Sequence, residues 1–154
     1  MLSINQQDFL TDYRTSTQSY RGGVRRLFRQ EVELIVQCNE DPTGNFKLGS
    51  QQVCLDYIFS IFRRKGNARE AMTHLVNLAD KHLLEFGLVA SAYAIDPHTN
   101  KPINKTLSQD KLVEWYESFG FVMAKRAKRN VMWREPGALQ GTGGFTVADF
   151  VCQR

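Results

Sequence analysis

The strongest constraint on the fold is a strand, turn and helix pattern in the middle of the chain. Residues 53–62 form an apolar run with the length and the β-branched and aromatic content of a buried strand. A basic turn follows, and apolar residues then recur every three or four positions as far as Phe86, which predicts a helix that ends at Gly87. The next apolar run, residues 88–95, predicts a second strand. Because a helix separates the two strands, we expect them to be parallel neighbours.

The turn between strand and helix has the composition of a pyrophosphate site. Four basic side chains surround the predicted start of the helix: Arg63, Arg64, Lys65 and Arg69. The first amides of a helix have no intrahelical acceptor, and the helix dipole adds positive charge at the same place. Gly66 allows an anion to approach the backbone, and Ala68 keeps the next turn narrow. The alternative is a solvated turn with a structural role alone.

Composition bounds the class of protein. A length of 154 residues predicts a single domain, 1–154, and 42% hydrophobic with 23% charged residues is ordinary for a globular chain. The net charge of +4 favours an anionic partner. A phosphorylated cofactor is our preference, and an acidic protein surface or nucleic acid remains an alternative.

Cysteine spacing and hydropathy indicate the compartment. Cys38, Cys54 and Cys152 are far apart, which predicts reduced thiols and neither a disulfide framework nor a metal site. His74 and His82 have no carboxylate at a metal-ligand spacing, so we expect structural or surface roles for them. No apolar run approaches the roughly 18 residues of a membrane span, and no signal pattern opens the chain. We therefore expect a cytoplasmic protein without membrane contact.

The amino-terminal third predicts two helices followed by strands. Ser3 and Gln6 form a capping-box pattern that starts a helix near Ile4. Residues 24–29 predict a second, short helix whose arginines form either a solvated face or a substrate surface. Residues 32–38 and 46–48 predict strands joined by a turn at 39–45, so three antiparallel strands would precede the basic turn.

Asp56 is the one charged residue inside the central apolar run. Burying a carboxylate is costly unless it is paired or used. It is therefore a candidate general base or amine-binding group. The alternatives are a solvent-facing position at a bulge or an ion pair with an arginine.

The carboxy-terminal part predicts a loop, a helix and a hairpin. Residues 96–105 form a polar loop, and Thr106 with Gln109 forms a second capping-box pattern. The helix that follows carries apolar and aromatic side chains on one face and ends at Gly120: Leu112, Trp115, Tyr116 and Phe119. Residues 121–124 and 130–134 predict a hairpin with a basic connector at 125–129. The tail, 137–154, would dock back on the domain or assist self-association as a homodimer.

Two separated motifs resemble the GCN5-related N-acetyltransferase (GNAT) superfamily. Arg63-x-x-Gly66-x-Ala68 matches its Arg/Gln-x-x-Gly-x-Gly/Ala signature, and residues 115–121, Trp-Tyr-Glu-Ser-Phe-Gly-Phe, resemble its later aromatic-Tyr-x-x-x-Gly-Phe element. The resemblance covers residues 54–134 well and the divergent first third, 1–50, poorly. It implies a mixed α/β fold with a mostly antiparallel sheet, in which two central parallel strands splay apart and helices flank the sheet.

The resemblance also implies a site. Acetyl-CoA would lie between the two parallel strands, with its pantetheine arm beside the backbone of Asp56, Tyr57 and Ile58. The pyrophosphate would bind at the turn and the first helical residues: Arg63, Arg64, Lys65, Gly66, Asn67, Ala68 and Arg69. Tyr116 stands where family members often carry the general acid that reprotonates the CoA thiolate, which a phenol at hydrogen-bond distance is able to do. The alternative is that Tyr116 is a core residue.

The general base and the family's asparagine are less well matched. Residues 88–95 contain no glutamate, so Asp56, Glu33 or a water molecule would act as the base, or the amine would arrive neutral. Gln109 stands in the region of the asparagine. We predict an N-acetyltransferase that acts on a primary amine of a protein or small molecule by direct attack in a ternary complex. The alternatives are a catalytically weak binding module, or a nucleic-acid-binding protein that uses Arg25, Arg26, Arg29 and residues 125–129.

Overall fold

A single mixed sheet organises the described part of the chain. The computed structural model describes residues 2–21, 24–38, 48–61, 66–92, 99–101, 107–124 and 130–138. Its helices are α1 (Ile4–Ser16), α2 (Asn67–Lys81) and α3 (Gln109–Glu117). Its strands are β1 (Gln18–Ser19), β2 (Arg26–Phe28), β3 (Val32–Gln37), β4 (Gln52–Ser60), β5 (Glu85–Val89), β6 (Val122–Met123) and β7 (Val131–Arg134).

The strand order confirms the predicted fold class. The seven strands lie in the order β1-β2-β3-β4-β5-β7-β6. The neighbours β4 and β5 are parallel. The other described neighbours are antiparallel. The chain is therefore a mixed α/β fold, and its central pair of parallel strands is the pair that the sequence predicts.

The core lies on one face of the sheet, where the helices pack. Strand residues at alternate positions point to the same face of a sheet. Val53 and Leu55 of β4 and Phe86 and Leu88 of β5 are buried at such alternate positions. These four strand residues form one cluster with side chains from, or directly after, the helices: Phe9, Tyr13, Ala71, Met72, Leu75, Val76, Ala79, Tyr116 and Phe119.

Burial in this core raises the pKa of the Cys38 thiol to about 12, so the thiol stays protonated at neutral pH.

The first helix begins as the capping box predicts. The Ser3 hydroxyl accepts a hydrogen bond from the main-chain amide of Gln6, and the side-chain oxygen of Gln6 accepts one from the main-chain amide of Ser3. The buried Gln6 carboxamide also donates to the carbonyl oxygens of Cys38 at 3.1 Å, Gly49 at 3.0 Å and Gln52 at 2.8 Å. It thereby fixes both ends of the segment that precedes β4. The predicted turn at 39–45 and most of the predicted strand at 46–48 lie outside the described residues.

The predicted helix at 24–29 is wrong, because this segment contains strand β2. β2 pairs with β3, and the chain reverses through Arg29 and Gln30, whose φ angles are 52° and 61°. Positive φ angles of this kind occur in hairpin turns and do not occur in a right-handed α-helix. Val24, which would lie with Leu27 and Phe28 on the apolar side of such a helix, is 58% exposed, so the spacing of these residues does not reflect a buried helical face.

The predicted end of the central helix is also wrong. α2 ends at Lys81, Leu83 adopts a φ of 57°, and β5 begins at Glu85. Gly87 lies within β5 and does not end a helix. A Cβ atom there would be 2.4 Å from the Trp133 ring, so β7 requires a glycine at this position. The predicted strand at 88–95 therefore starts earlier, and residues 93–95 lie outside the described part.

The start of α3 differs by a few residues from the prediction, and the hairpin is confirmed. Ser108, not Thr106, is the N-cap of α3, and its hydroxyl accepts from the Lys111 amide at 3.3 Å. β6 and β7 form the predicted antiparallel pair. Residues 125–129, most of the loop 96–105 and the tail from 139 onward lie outside the described residues. None of the described helices has the length and hydropathy to cross a membrane.

Candidate functional site

The two parallel strands stop pairing with each other halfway along β4. Their register runs from Gln52 opposite Glu85 to Leu55 opposite Leu88. Beyond Leu55, β4 continues to Ser60, and its described ladder partners there lie on β3. Beyond Leu88, β5 pairs with β7. The sheet therefore parts at the carboxyl ends of its parallel strands, where open α/β sheets bind their ligands.

A β-bulge in β4 marks the same level. Ile35 lies opposite Tyr57 and Val36 lies opposite Leu55, so Asp56 is the extra residue. A bulge bends a strand and re-aims a side chain. Asp56 is partly exposed as a residue, its Oδ1 accepts a hydrogen bond from the Cys54 thiol at 3.3 Å, and its Oδ2 is buried. The sequence offered a solvent-facing position at a bulge as one alternative for Asp56: the bulge is confirmed, but Oδ2 is buried and does not face solvent. The role of Asp56 as a base stays a prediction.

Tyr57 and Ile58 follow the bulge and are both partly exposed. Ile58 packs against the core cluster. The Tyr57 ring stacks on Phe59 at a centroid distance of 6.4 Å, and the Arg25 guanidinium lies 5.1 Å from the Tyr57 ring centroid. The backbone of this segment therefore runs along the opening with its side chains held on both faces of the sheet.

Glu33 is paired, which bears on its candidacy as a base. Its side chain is fully buried, and Arg25 Nη1 lies 2.7 Å from Glu33 Oε1. Removing one partner of a buried pair is strongly destabilising, because the other charge remains buried. An acceptor amine would have to compete with Arg25 for this carboxylate. The pairing therefore favours Asp56 over Glu33 as the proton acceptor.

The start of α2 offers backbone to an anion. Gly66 is the N-cap, with φ 87° and ψ −4°, and a Cβ atom built there would meet nothing within 4 Å. The first helical hydrogen bond runs from the Glu70 amide to the Gly66 carbonyl at 3.0 Å, so the preceding amides lie ahead of the helical ladder. An open glycine and helix-end amides fit a diphosphate. Arg63, Arg64 and Lys65 lie outside the described residues.

Asn67 joins the end of β4 to the beginning of α2. The Ser60 hydroxyl donates to Asn67 Oδ1 at 3.0 Å, and Asn67 is 4% exposed. Ala68, the next residue, is partly exposed. The Asn67 side chain is therefore a structural joint between β4 and α2.

The Arg69 side chain lies against the end of α3. Its Nη2 donates to the Ser118 hydroxyl at 3.2 Å. Its guanidinium carbon is 4.7 Å from the Phe119 ring centroid and 5.9 Å from that of Trp115. The sequence placed this cation beside the pyrophosphate, and the structure gives it a contact with the helix that carries Tyr116.

Tyr116 lies near the carboxyl end of α3 and is 5% exposed. Its ring packs edge-on against Trp115 at 5.1 Å and against Phe121 at 6.0 Å. These contacts show that Tyr116 belongs to the core. A packed ring is compatible with a phenol that reaches a reacting sulfur atom, so the role of Tyr116 as a general acid stays a prediction.

Gln109 makes a contact that the sequence did not indicate. Its side-chain nitrogen donates to the Ala90 carbonyl at 2.6 Å, and its oxygen accepts from the Ala92 amide at 3.2 Å. The carboxamide thus bonds the backbone just after β5 in the way that a neighbouring strand would. It fixes the path of the chain at the place where β5 leaves β4. The one sequence signal for this role was its position in the region of the family's asparagine.

The arginines of the proposed nucleic-acid surface have contacts within the chain. Arg26 Nε donates to the Thr17 hydroxyl at 2.7 Å. Arg29 Nη1 lies 2.8 Å from Glu70 Oε2, and Arg25 pairs with Glu33. Phosphate binding relies on cations that are available to displace counterions. These contacts disfavour the nucleic-acid alternative at these three positions, and residues 125–129 lie outside the described part.

Comparisons with known proteins leave the family open. No protein-family model and no curated protein matches the sequence. Among solved structures, the crystal structure of the anti-CRISPR protein AcrVA5 is similar, with a TM-score of 0.44 and 18% sequence identity, over 67% of this chain and 88% of that chain. A likeness at this level identifies neither the function nor the family of the chain.

Proposed function

We propose that this chain is an acyl-CoA-dependent N-acyltransferase that transfers an acetyl group from acetyl-CoA to a primary amine of a protein or a small molecule. The observation that carries the proposal is the parting of β4 and β5 after Leu55 and Leu88, beside the open start of α2 at Gly66. This places an extended strand and a helix terminus next to each other. The resemblance of residues 63–68 and 115–121 to GNAT motifs supports the same function.

The two halves of acetyl-CoA would use different chemistry. The pantetheine arm, which carries amides, would run beside the main chain of Asp56, Tyr57 and Ile58. The diphosphate would bind to the main-chain amides at the start of α2, where the helix dipole favours an anion. The basic side chains just before Gly66 would add charge: Arg63, Arg64 and Lys65. In this arrangement the thioester would lie beside the bulge in β4.

Acyl transfer would proceed by direct attack in a ternary complex. The amine nitrogen would attack the thioester carbonyl carbon, so that a C–N bond forms and the C–S bond breaks. The Tyr116 phenol would give its proton to the departing thiolate. The proton lost by the amine would pass to Asp56 or to water. The support for Asp56 is its place at the bulge, at the level where β4 and β5 part.

A matched pair of variants tests diphosphate binding at the helix start. Gly66→Glu and Gly66→Gln introduce side chains of equal size at the same left-handed position, and only the first adds a negative charge. We expect isothermal titration to show acetyl-CoA binding at least about tenfold weaker in Gly66→Glu than in Gly66→Gln, because like charges repel at short range. Equal acetyl-CoA affinities in the two variants would show that the diphosphate does not bind at this turn.

A second candidate function is a catalytically weak scaffold that docks on a protein or nucleic-acid partner. The burial of Tyr116 among aromatic rings favours it, because packing alone explains that residue. Such a scaffold would bind acetyl-CoA without consuming it. Release of free CoA thiol in the presence of candidate amines and proteins therefore separates the two functions.

A further inference from the structure

Arg69 connects the start of α2 to the end of α3. It lies in the first turn of α2, and its guanidinium reaches Ser118, Phe119 and Trp115. Ser118 is the C-cap of α3 and is fully buried. The contact therefore joins the helix start that offers backbone to a diphosphate with the helix that carries Tyr116.

The charge of Arg69 complements α3. The carboxyl end of a helix carries partial negative charge and is stabilised by a nearby cation. The last turn of α3 has no basic residue, and Glu114 and Glu117 are in it. Arg69 supplies from α2 the cation that the last turn of α3 lacks. Aromatic faces attract a guanidinium as well, and the Phe119 ring centroid is 4.7 Å from it.

The hydrogen bonds around Ser118 fix the geometry of this joint. The Ser118 hydroxyl donates its proton to the Trp115 carbonyl at 2.5 Å, so the Arg69 guanidinium is the donor to Ser118 at 3.2 Å. Arg69, Ser118 and the Trp115 carbonyl thus form a chain of hydrogen bonds. This chain ends at the residue directly before Tyr116.

We propose that Arg69 is a positioning residue that couples the occupancy of the α2 start to the placement of Tyr116. The inference rests on the proposed acyltransferase function. In this role the Arg69 amide faces the cofactor end of α2, while its guanidinium holds α3. A displacement of the first turn of α2 on cofactor binding then moves α3 through Arg69. The guanidinium acts on Tyr116 and is not a phosphate ligand.

Kinetics and binding separate this role from phosphate binding. Arg69→Met keeps the apolar stem and removes the charge, and we expect kcat to fall by roughly 10- to 100-fold, as misplacement of a reacting group does. The dissociation constant for acetyl-CoA should not change. Arg69→Lys, which restores a cation near the rings, should recover part of kcat. Weaker acetyl-CoA binding with an unchanged kcat would overturn the proposal and make Arg69 a phosphate ligand.

Arg29→Met is the matched control, because Arg29 pairs with Glu70 in the same turn of α2 and makes its ring contact with Phe28. We expect its kcat to equal that of the unmodified chain. A loss equal to that of Arg69→Met would show a general effect of charge near α2 and would contradict coupling through α3.

Fluorescence tests the coupling without turnover. The chain has two tryptophans, so Trp133→Phe leaves Trp115 as the reporter beside Arg69. Acetyl-CoA should change Trp115 emission in this background, and Arg69→Met should abolish the change while binding persists by titration. Binding without any emission change when Arg69 is present would overturn the coupling alone. Absence of acetyl-CoA binding in the unmodified chain would overturn the proposed function, and with it the coupling.

Discussion

At the residue scale, Tyr116 combines packing with a proposed proton transfer. Its ring is enclosed by Trp115 and Phe121, so the aromatic ring itself stabilises the core. Only the phenolic hydroxyl can serve as an acid. The two roles therefore separate when the hydroxyl is removed and the ring is kept.

Tyr116→Phe should retain acetyl-CoA affinity while kcat falls by about 100-fold or more, the range of general acid catalysis. Steady-state kinetics with a thiol-release assay and isothermal titration measure the two quantities. Tyr13→Phe is the control, because Tyr13 is also buried and its hydroxyl has no hydrogen-bond partner among the described residues. Equal turnover in Tyr116→Phe and the unmodified chain would leave Tyr116 with a packing role alone.

The sequence indicated Asp56 but left its setting open, and the reason is physical. A lone carboxylate in an apolar strand fits a base, a bulge or an ion pair equally well, since residue order does not reveal register. The pairing register between β4 and β3 shows that Asp56 lies at a bulge. In the same way, the cation Arg69 could be placed near the start of a helix from its position, whereas the direction of its side chain depends on α3.

At the scale of elements, apolar spacing predicted which segments are buried better than what they form. Phe86 is fully buried although it lies in a strand, whereas Leu83, which the helical spacing also placed on the apolar face, is 66% exposed. The switch between the two structures occurs at Leu83, a left-handed residue that is not a glycine, so glycine-based stop signals placed the boundary too late. Capping chemistry was more reliable, since Ser3 and Gln6 started α1 as predicted.

The packing of α1 on α2 gives the fold a pH dependence. His74 of α2 stacks on Phe28 at 5.1 Å, and its Nε2 lies 2.7 Å from the Ser16 hydroxyl at the end of α1. Burial, and then the charge of Arg29, lower the pKa of His74 below its ordinary value. His74 therefore binds a proton more readily in the unfolded chain than in the folded chain. As a result, the free energy of unfolding falls as the pH drops through the unfolded pKa of about 6.5.

We expect the urea midpoint of the unmodified chain to decrease from pH 7.5 to pH 5.5, the interval that brackets the unfolded pKa of about 6.5. His74→Gln keeps a polar group near Ser16 and does not titrate, so its midpoint should depend less on pH over the same interval. Urea unfolding followed by circular dichroism measures both. Parallel pH profiles for the two proteins would assign the dependence to other groups.

At the scale of the whole molecule, the sequence predicted the class of fold and the order of its central elements. The strand, basic turn, helix and second strand were predicted in order, and the two strands are parallel neighbours. The antiparallel pair β1–β2 was missed, because strands of two and three residues carry little periodic signal. The parting of β4 and β5 was expected from the GNAT resemblance and depends on long-range pairing that no local pattern encodes.

The central claim is that acetyl-CoA lies where β4 and β5 part, with its diphosphate at the start of α2. Titration of the isotope-labelled chain with acetyl-CoA, followed by amide NMR shifts, tests this most directly. We expect the largest shifts at Asp56, Tyr57 and Ile58 and at the first amides of α2, from Gly66 to Arg69. Shifts that cluster instead around Arg26 and Arg29, or no shifts at saturating acetyl-CoA, would contradict it.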